Sequence, residues 1–337
     1  MIRLPAFEYL KPRSVGDAVK YLADRGVDAM LVAGGTDLFP NMKRRQFEPK
    51  ALIGLRGIRD LRGVRTSSGG VTIGAGTTLT QVATHVEVAR RYTALATAAG
   101  QVSSPQLRNM GTLGGNVCVD TRCNYYTQSY EWRKAIGFCM KKDGDICLVA
   151  PSSSRCWAVS SSDTAPVLWA LGATARLVGP AGERTVPVAA LFKDDGIDYL
   201  AKRADEILTE VVLPPADGWS SVYLKLRRRG AFDFPVLGVA AAVRRENDIV
   251  REARIVLGAV ASQPREAIAA GAALVGAALT SDAITRAADL AAGPSKPLDN
   301  TDFTHPYRKK VTRVYVARAL ARLAGLDSGP SSYEAGG

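Results

Sequence analysis

Cys123, Cys139, Cys147 and Cys156 stand 16, 8 and 9 positions apart in one stretch, with Cys118 just upstream and no cysteine elsewhere. Scattered cysteines usually serve as small buried hydrophobes, whereas a cluster of them implies a shared task. Soft thiolates hold iron–sulfur cubes, and four of them close one site. Zinc ribbons use close cysteine pairs, which are absent here, although zinc and four unliganded thiols stay open as alternatives. An odd cysteine count also argues against a purely disulfide framework. If the thiols hold an iron–sulfur cluster, the chain moves electrons. Only His85 and His305 occur, which excludes a His-rich metal site.

A second pattern lies in three glycine loops, each at the end of an apolar run. They are Ala33-Gly34-Gly35-Thr36-Asp37-Leu38, Gly74-Ala75-Gly76-Thr77-Thr78-Leu79 and Gly111-Thr112-Leu113-Gly114-Gly115-Asn116. Glycine lets the backbone adopt positive φ and approach a ligand closely. Successive N–H groups then form a concave nest for an anion such as a pyrophosphate. Thr36, Thr112 and Asn116 add side-chain hydrogen bonds. None of the loops is the dinucleotide fingerprint or a P-loop. One such loop is an ordinary tight turn; three together imply a common ligand.

The elements that position these loops alternate. A helix is predicted over 15–25, where Val15, Ala18, Val19 and Leu22 recur near helical spacing. Short strands are predicted at 29–33, 51–54 and 71–75, and one helix over 80–99. That rhythm points to an α/β arrangement. The stretch 120–157 interrupts it and reads as an insertion. Beyond it, 165–177 reads as helix then strand, 184–192 as a loop–helix element, and 207–213 as a strand stopped by Pro214-Pro215. A C-terminal part follows: 220–227 and 236–244 read as strands or as a strand–helix pair, 253–260 as a strand, and alanine-rich helices are predicted at 266–279, 281–292 and 307–324. The predicted boundaries are 1–56, 57–215 with the insertion at 120–157, 216–326, and a small polar tail at 327–337.

Net charge is +12 over 337 residues, and 47% of them are hydrophobic, as in a globular protein. No basic helix, zinc-finger spacing or aromatic–basic interleaving supports nucleic-acid binding. The charge suits a solvated surface and an acidic protein partner. No run of 18 apolar residues indicates a membrane span, and no signal-peptide core follows Met1, so the cytoplasm is expected.

The order Ala-Gly-Gly-Thr-Asp-Leu, Gly-Ala-Gly-Thr-Thr-Leu, Gly-Thr-Leu-Gly-Gly-Asn resembles the FAD-binding subunits of the molybdenum hydroxylase (xanthine dehydrogenase) family. Ser162-Asp163-Thr164-Ala165-Pro166, Glu206-Ile207-Leu208, Tyr223-Leu224-Lys225 with Arg229 and Asp233, and Tyr307-Arg308 extend the likeness over about residues 3–325. The resemblance implies an α+β chain: an FAD-binding fold of the vanillyl-alcohol oxidase type, made of two α/β subdomains, then a C-terminal domain of antiparallel sheet plus helices. It places the FAD pyrophosphate on Leu31, Val32, Ala33, Gly34, Gly35, Thr36, Asp37 and Leu38, and on Gly111, Thr112, Leu113, Gly114 and Gly115, with Asn116 beside them. It gives Asp163 to the ribose or ring edge, and Leu208, Lys225 and Val102 to the isoalloxazine. Read alone, Asp163 is also a candidate helix cap, Lys225 an exposed strand residue, and Leu208 and Val102 core.

One branch of that family, the β subunits of 4-hydroxybenzoyl-CoA reductases, carries a comparable insertion with a [4Fe–4S] cluster. Arg122-Cys123-x-x-Tyr126-x-Gln128-Ser129 followed by Cys139, Cys147 and Cys156 is similar to it. The likeness implies electron entry from ferredoxin through [4Fe–4S] and FAD to a [2Fe–2S] subunit and a molybdenum-cofactor subunit, in a dimer of heterotrimers. Substrate chemistry, dehydroxylation to benzoyl-CoA, would then lie outside this chain. The alternative is the FAD subunit of an oxidative molybdenum hydroxylase for another aromatic or heterocyclic substrate. Arg133, Lys134, Lys141 and Lys142 are candidates for a ferredoxin-docking patch, or simply a solvated loop. Cys118 is expected to be a buried structural cysteine, and is the substitute if one ligand is misassigned.

Overall fold

The computed structural model describes residues 3–326; the predicted tail at 327–337 lies outside them. The chain opens with β1 (Glu8–Leu10), the helix Val15–Arg25, β2 (Ala29–Val32) and β3 (Ala51–Gly54). Ser14 and Asp17 form a capping box at the start of that helix, with Asp17 N–H to Ser14 Oγ at 3.0 Å and Ser14 N–H to Asp17 Oδ2 at 3.1 Å. The helix buries Ala18, Val19 and Leu22, the predicted stripe. The three strands form a parallel sheet in the order β1-β3-β2. All of β3 is buried, as expected for a parallel strand covered on both faces.

The second sheet is antiparallel, in the order β4-β5-β8-β6-β7. Its members are β4 (Val64–Ser67), β5 (Gly70–Gly74), β6 (Thr174–Gly179), β7 (Gly182–Pro187) and β8 (Ile207–Leu213). The helices Thr93–Gln101 and Thr164–Ala170 share its core and lie against the strands of the third sheet. The third sheet runs β12-β11-β10-β9, built from β9 (Trp219–Leu226), β10 (Leu237–Glu246), β11 (Ile249–Gly258) and β12 (Arg265–Glu266). Asn247 and Asp248 both have positive φ, 49° and 64°, in the tight turn that joins β10 to β11. The helices Ser281–Ala291 and His305–Ala324 pack on this sheet. One core cluster contains residues of both antiparallel sheets, with Tyr223, Ala240 and Val256 packed alongside Val71, Leu177 and Val211. The chain is therefore an α+β fold, a parallel and an antiparallel sheet with helices followed by a second antiparallel sheet with helices, as expected.

Three elements differ from the sequence pattern. The helix predicted over 80–99 is three, Leu79–Thr84, Val86–Arg91 and Thr93–Gln101, broken where His85 and Tyr92 leave helical φ/ψ. Each piece thereby turns its own apolar residues to the shared core, which one straight helix could not do. Residues 184–187, expected to open a loop–helix element, belong to strand β7 and pair along β6, while the helical part of that element is the short 3-10 helix Val188–Leu191. Within 266–279 only Ile268–Ala272 is helical, because Ala267 N–H is committed to Ile255 O at 2.7 Å. Among the described residues no helix is long and apolar enough to cross a membrane.

Glu206, buried at the entry to β8, shows what its motif position does in this fold. It accepts from Arg184 Nε at 2.6 Å, Arg184 Nη2 at 2.8 Å and the Arg203 N–H at 2.7 Å. The Arg184 hydrogen bonds hold its carboxyl down at about 2. A folded-state value below the unfolded one stabilises the fold above the unfolded pKa and is lost as pH falls through the folded one. Glu206→Gln should therefore cost about 2 kcal/mol at pH 7, discounted because Arg184 is partly exposed. Urea unfolding should find that gap closing between about pH 4.5 and pH 2. A gap of the same size at pH 7 and pH 2.5 would refute the assignment.

Candidate functional site

The first glycine loop leaves β2 and runs into the short helix Leu38–Lys43; the third runs into the helix Leu113–Val117. They are pressed together. A methyl on Gly34 would stand 2.0 Å from the Met110 carbonyl oxygen and 3.0 Å from Gly111 Cα. Gly35 has φ +71°, open to glycine at little cost, and a methyl there would meet the Phe39 ring at 2.4 Å. The second loop is the scaffold beneath the third. Leu79 N–H donates to Gly111 O (2.9 Å), Leu113 N–H to Thr77 O (2.9 Å) and Gly114 N–H to Ala75 O (2.8 Å). Thr112 caps its helix, with Oγ1 accepting from Gly115 N–H at 3.1 Å.

Among the described residues, the N–H groups of Gly34, Gly35 and Thr36 donate to no group of the chain. Consecutive free donors on a glycine turn are the donor set a pyrophosphate requires. The Asp37 carboxylate, which would repel such an anion, is paired with Arg122. Burial pushes the Asp37 carboxyl up, and Arg122 opposes that rise. Asn116 ties the third loop to the helix Thr164–Ala170: its Oδ1 accepts from Ser162 Oγ (2.9 Å), Thr164 N–H (3.1 Å) and Thr164 Oγ1 (2.7 Å).

Asp163 and Lys225 meet. Lys225 Nζ donates to Asp163 Oδ2 at 2.9 Å, Asp233 O at 2.9 Å and Gln101 O at 3.1 Å, which uses all three ammonium hydrogens. Tyr223 Oη donates to Asp163 Oδ1 at 2.8 Å. Burial pushes the Asp163 carboxyl up and the Lys225 ammonium down, and their mutual attraction opposes both. Asp163 does not cap its helix; Ser162 Oγ accepts from Ala165 N–H at 3.0 Å instead. Nor is Lys225 an exposed strand residue, since its side chain is 1% exposed. Leu208 lies in the core opposite Leu177. Val102 packs against the same core from its edge, and its carbonyl accepts from Arg108 Nη1 at 2.9 Å.

The four clustered cysteines, though far apart in sequence, line one small enclosed cavity together with Tyr126 and Lys141. All four are buried, and all five cysteines of the chain are free thiols. Burial pushes Cys123 up to about 12 and Cys156 up to about 11. Unliganded, they are thiols; metal binding there would release protons. Among the described residues no three Cys, His, Asp or Glu side chains are grouped so as to hold a single metal ion, whereas the four thiols lining the cavity are the donor set of a larger, four-thiolate cluster. Cys118 is not in the cavity. It ends the helix Leu113–Val117, and its carbonyl accepts from Tyr199 Oη at 3.1 Å.

Buried polar bonds lock the insertion to its surroundings. Arg133 Nη2 donates to Arg44 O at 2.8 Å, Gln46 Nε2 to Tyr126 O at 2.6 Å, and Asn124 N–H to Asn300 O at 2.9 Å. Lys141 Nζ donates to Asp120 Oδ1 and Thr121 Oγ1, both at 2.8 Å, and to Gly196 O at 2.5 Å. The docking patch expected of four cations is thus corrected: Arg133 and Lys141 are 1% and 5% exposed and hold the insertion in place. Lys134 is exposed and Lys142 half-exposed. Sequence reading singled out neither Asp120 nor Tyr199; each gains its place from contacts with residues distant in the chain.

Comparison with known proteins covers both halves of the fold. Residues 5–216 match the family described as the FAD binding domain in molybdopterin dehydrogenase, and residues 221–323 the CO dehydrogenase flavoprotein C-terminal domain. The carbon monoxide dehydrogenase medium chain of Hydrogenophaga pseudoflava is 32% identical over 317 residues, 94% of this chain and 96% of that protein. The aldehyde oxidoreductase FAD-binding subunit PaoB of Escherichia coli is 30% identical over 77% of this chain and 83% of its own. Among solved structures, a carbon monoxide dehydrogenase from H. pseudoflava lacking the Mo-pyranopterin moiety superposes with a TM-score of 0.79 at 31% identity, covering 97% of this chain and 100% of that one.

Proposed function

This chain belongs to the FAD-binding subunits of the molybdenum hydroxylase family, and we propose that it is an electron relay whose four clustered cysteines hold a [4Fe–4S] cluster in addition to its FAD. The observation that carries the proposal is the convergence of Cys123, Cys139, Cys147 and Cys156 on one buried cavity. When bound, the flavin and the cluster supply one- and two-electron transfer. The chain's own residues do the rest. The free N–H groups of Gly34, Gly35 and Thr36 bind the pyrophosphate, with Gly111 to Gly115 pressed against them. The Asp163–Lys225–Tyr223 network fixes the edge of the flavin site between the helix Thr93–Gln101 and β9. Tyr126 and the apolar walls of the cysteine cavity exclude water.

Electrons then pass to or from a [2Fe–2S] subunit and a molybdenum-cofactor subunit, where substrate is transformed. The relatives' names, carbon monoxide dehydrogenase and aldehyde oxidoreductase, favour an oxidative hydroxylase whose electrons leave through this chain. A second reading, supported by the cysteine cavity alone, is entry of electrons from an acidic ferredoxin for reductive dehydroxylation of 4-hydroxybenzoyl-CoA.

Anaerobic purification with iron, sulfide and flavin counted together tests the relay. About four irons and one FAD per chain are expected, from the ligand count of a [4Fe–4S] cube. Cys123→Ser or Cys139→Ser should abolish the reduced-cluster EPR signal while flavin is retained. Parent protein with FAD and no iron would sink the cluster. Reduction by ferredoxin, against turnover with oxidised acceptors, then separates the two directions.

A further inference from the structure

We infer that the buried Lys141–Asp120 pair sets the reduction potential of the group held by the four cysteines, Lys141 raising it and Asp120 lowering it. The inference rests on reading those cysteines as the ligands of an iron–sulfur cluster. Lys141 lines the cavity that the cysteines share, whereas Asp120 stands behind it, outside the lining. The ammonium cannot swing away. Its three hydrogens go to Asp120 Oδ1 (2.8 Å), Thr121 Oγ1 (2.8 Å) and Gly196 O (2.5 Å), and it sits 4.8 Å from the Tyr126 ring centroid. Side-chain exposure is 5% for Lys141 and 9% for Asp120, so solvent screens neither charge strongly.

One-electron reduction adds one negative charge to a site already surrounded by thiolates. A fixed cation on the cavity wall lowers the energy of that charge more than it lowers the oxidised form. A carboxylate farther back acts in the opposite sense and more weakly. Net charge, hydrogen bonding and exposure are the terms that set cluster potentials. Of the cations buried in this insertion, Arg122, Arg133 and Lys141, only Lys141 reaches the cavity; Arg122 is paired with Asp37 and Arg133 is spent on the carbonyls of Arg44 and Arg45. The pair is therefore more than a fastening, which any hydrogen-bonding residue with the same reach would serve.

The test is an EPR-monitored titration of the anaerobically purified protein with dithionite as reductant, alongside iron and flavin counts. Lys141→Met should make reduction harder by about tenfold in the equilibrium constant, ~60 mV for one electron. Asp120→Asn should shift it the other way. The double variant Lys141→Met/Asp120→Asn, which leaves no lone buried charge, should fall between Lys141→Met and the parent. Shifts of the same sign in both single variants, or no shift with iron retained, would overturn the inference in favour of a purely structural pair. Loss of the cluster from all three variants would do the same. Parent protein without iron would instead refute the reading of the cysteines, a distinguishable result.

Discussion

Gly34→Ala is expected to weaken FAD binding on the order of 100-fold, about 3 kcal/mol. The new methyl would fall 2.0 Å from a backbone oxygen, Met110 O, which is not the movable tip of a side chain. Either the first loop or the third must retreat, and overpacking of this kind costs about 1–3 kcal/mol in stability as well. The retreat moves the free donors of Gly34, Gly35 and Thr36, so they no longer converge on one pyrophosphate; the third loop, whose N–H groups at Gly111, Leu113, Gly114 and Gly115 are bonded within the chain, braces them. Flavin titration by fluorescence, with Gly57→Ala as a control, gives the comparison. A methyl at Gly57 meets only Pro12 O at 3.5 Å, an ordinary contact. Equal flavin affinity in Gly34→Ala and the control would remove the first loop's donors from the site.

Lys225→Met should lower folding stability by about 3–5 kcal/mol, the cost of breaking a buried pair by taking one partner. Asp163 would keep only the Tyr223 hydroxyl, and the carbonyls of Gln101 and Asp233 would lose their shared donor. Lys225→Met/Asp163→Asn should recover at least about half of that loss, because no lone charge remains buried. Burial already pushes the Asp163 carboxyl up. Without the lysine, the folded variant takes up a proton more readily than the unfolded chain does. A raised folded-state pKa adds stability at low pH that is lost as pH rises, so the penalty should shrink towards pH 4 and below. Denaturant unfolding of the parent, both singles and the double closes the cycle. Strict additivity of the two single substitutions would mean that the pair carries no coupling.

Much of this molecule was legible before folding was considered. The strands at 29–32, 51–54 and 207–213 are short apolar runs ended by glycine or proline, and local steric rules suffice for them. The first helix announced itself through Ser14, Asp17 and its apolar stripe. The glycine loops were visible as loops, and the cysteines as a group, because both signals are local in composition. The broken helix at 79–101 was not, since nothing in the sequence at His85 or Tyr92 marks a break; packing against a shared core imposes it.

What tertiary structure decided is which groups meet. Asp163 and Lys225 each allowed a bland reading in the sequence, a helix cap and an exposed strand residue. Only the third sheet, which sets β10 and β11 against the helix Thr164–Ala170 and β9 against the helix Thr93–Gln101, makes them one buried ion pair. Arg133 and Lys141 looked like surface charge in a polar insertion, and the fold turned them inward onto carbonyls and onto Asp120. Sequence fixes the chemical types and the local turns, which depend on near neighbours. Partnership and burial depend on contacts between residues tens of positions apart, and these exist only once the chain has closed on itself.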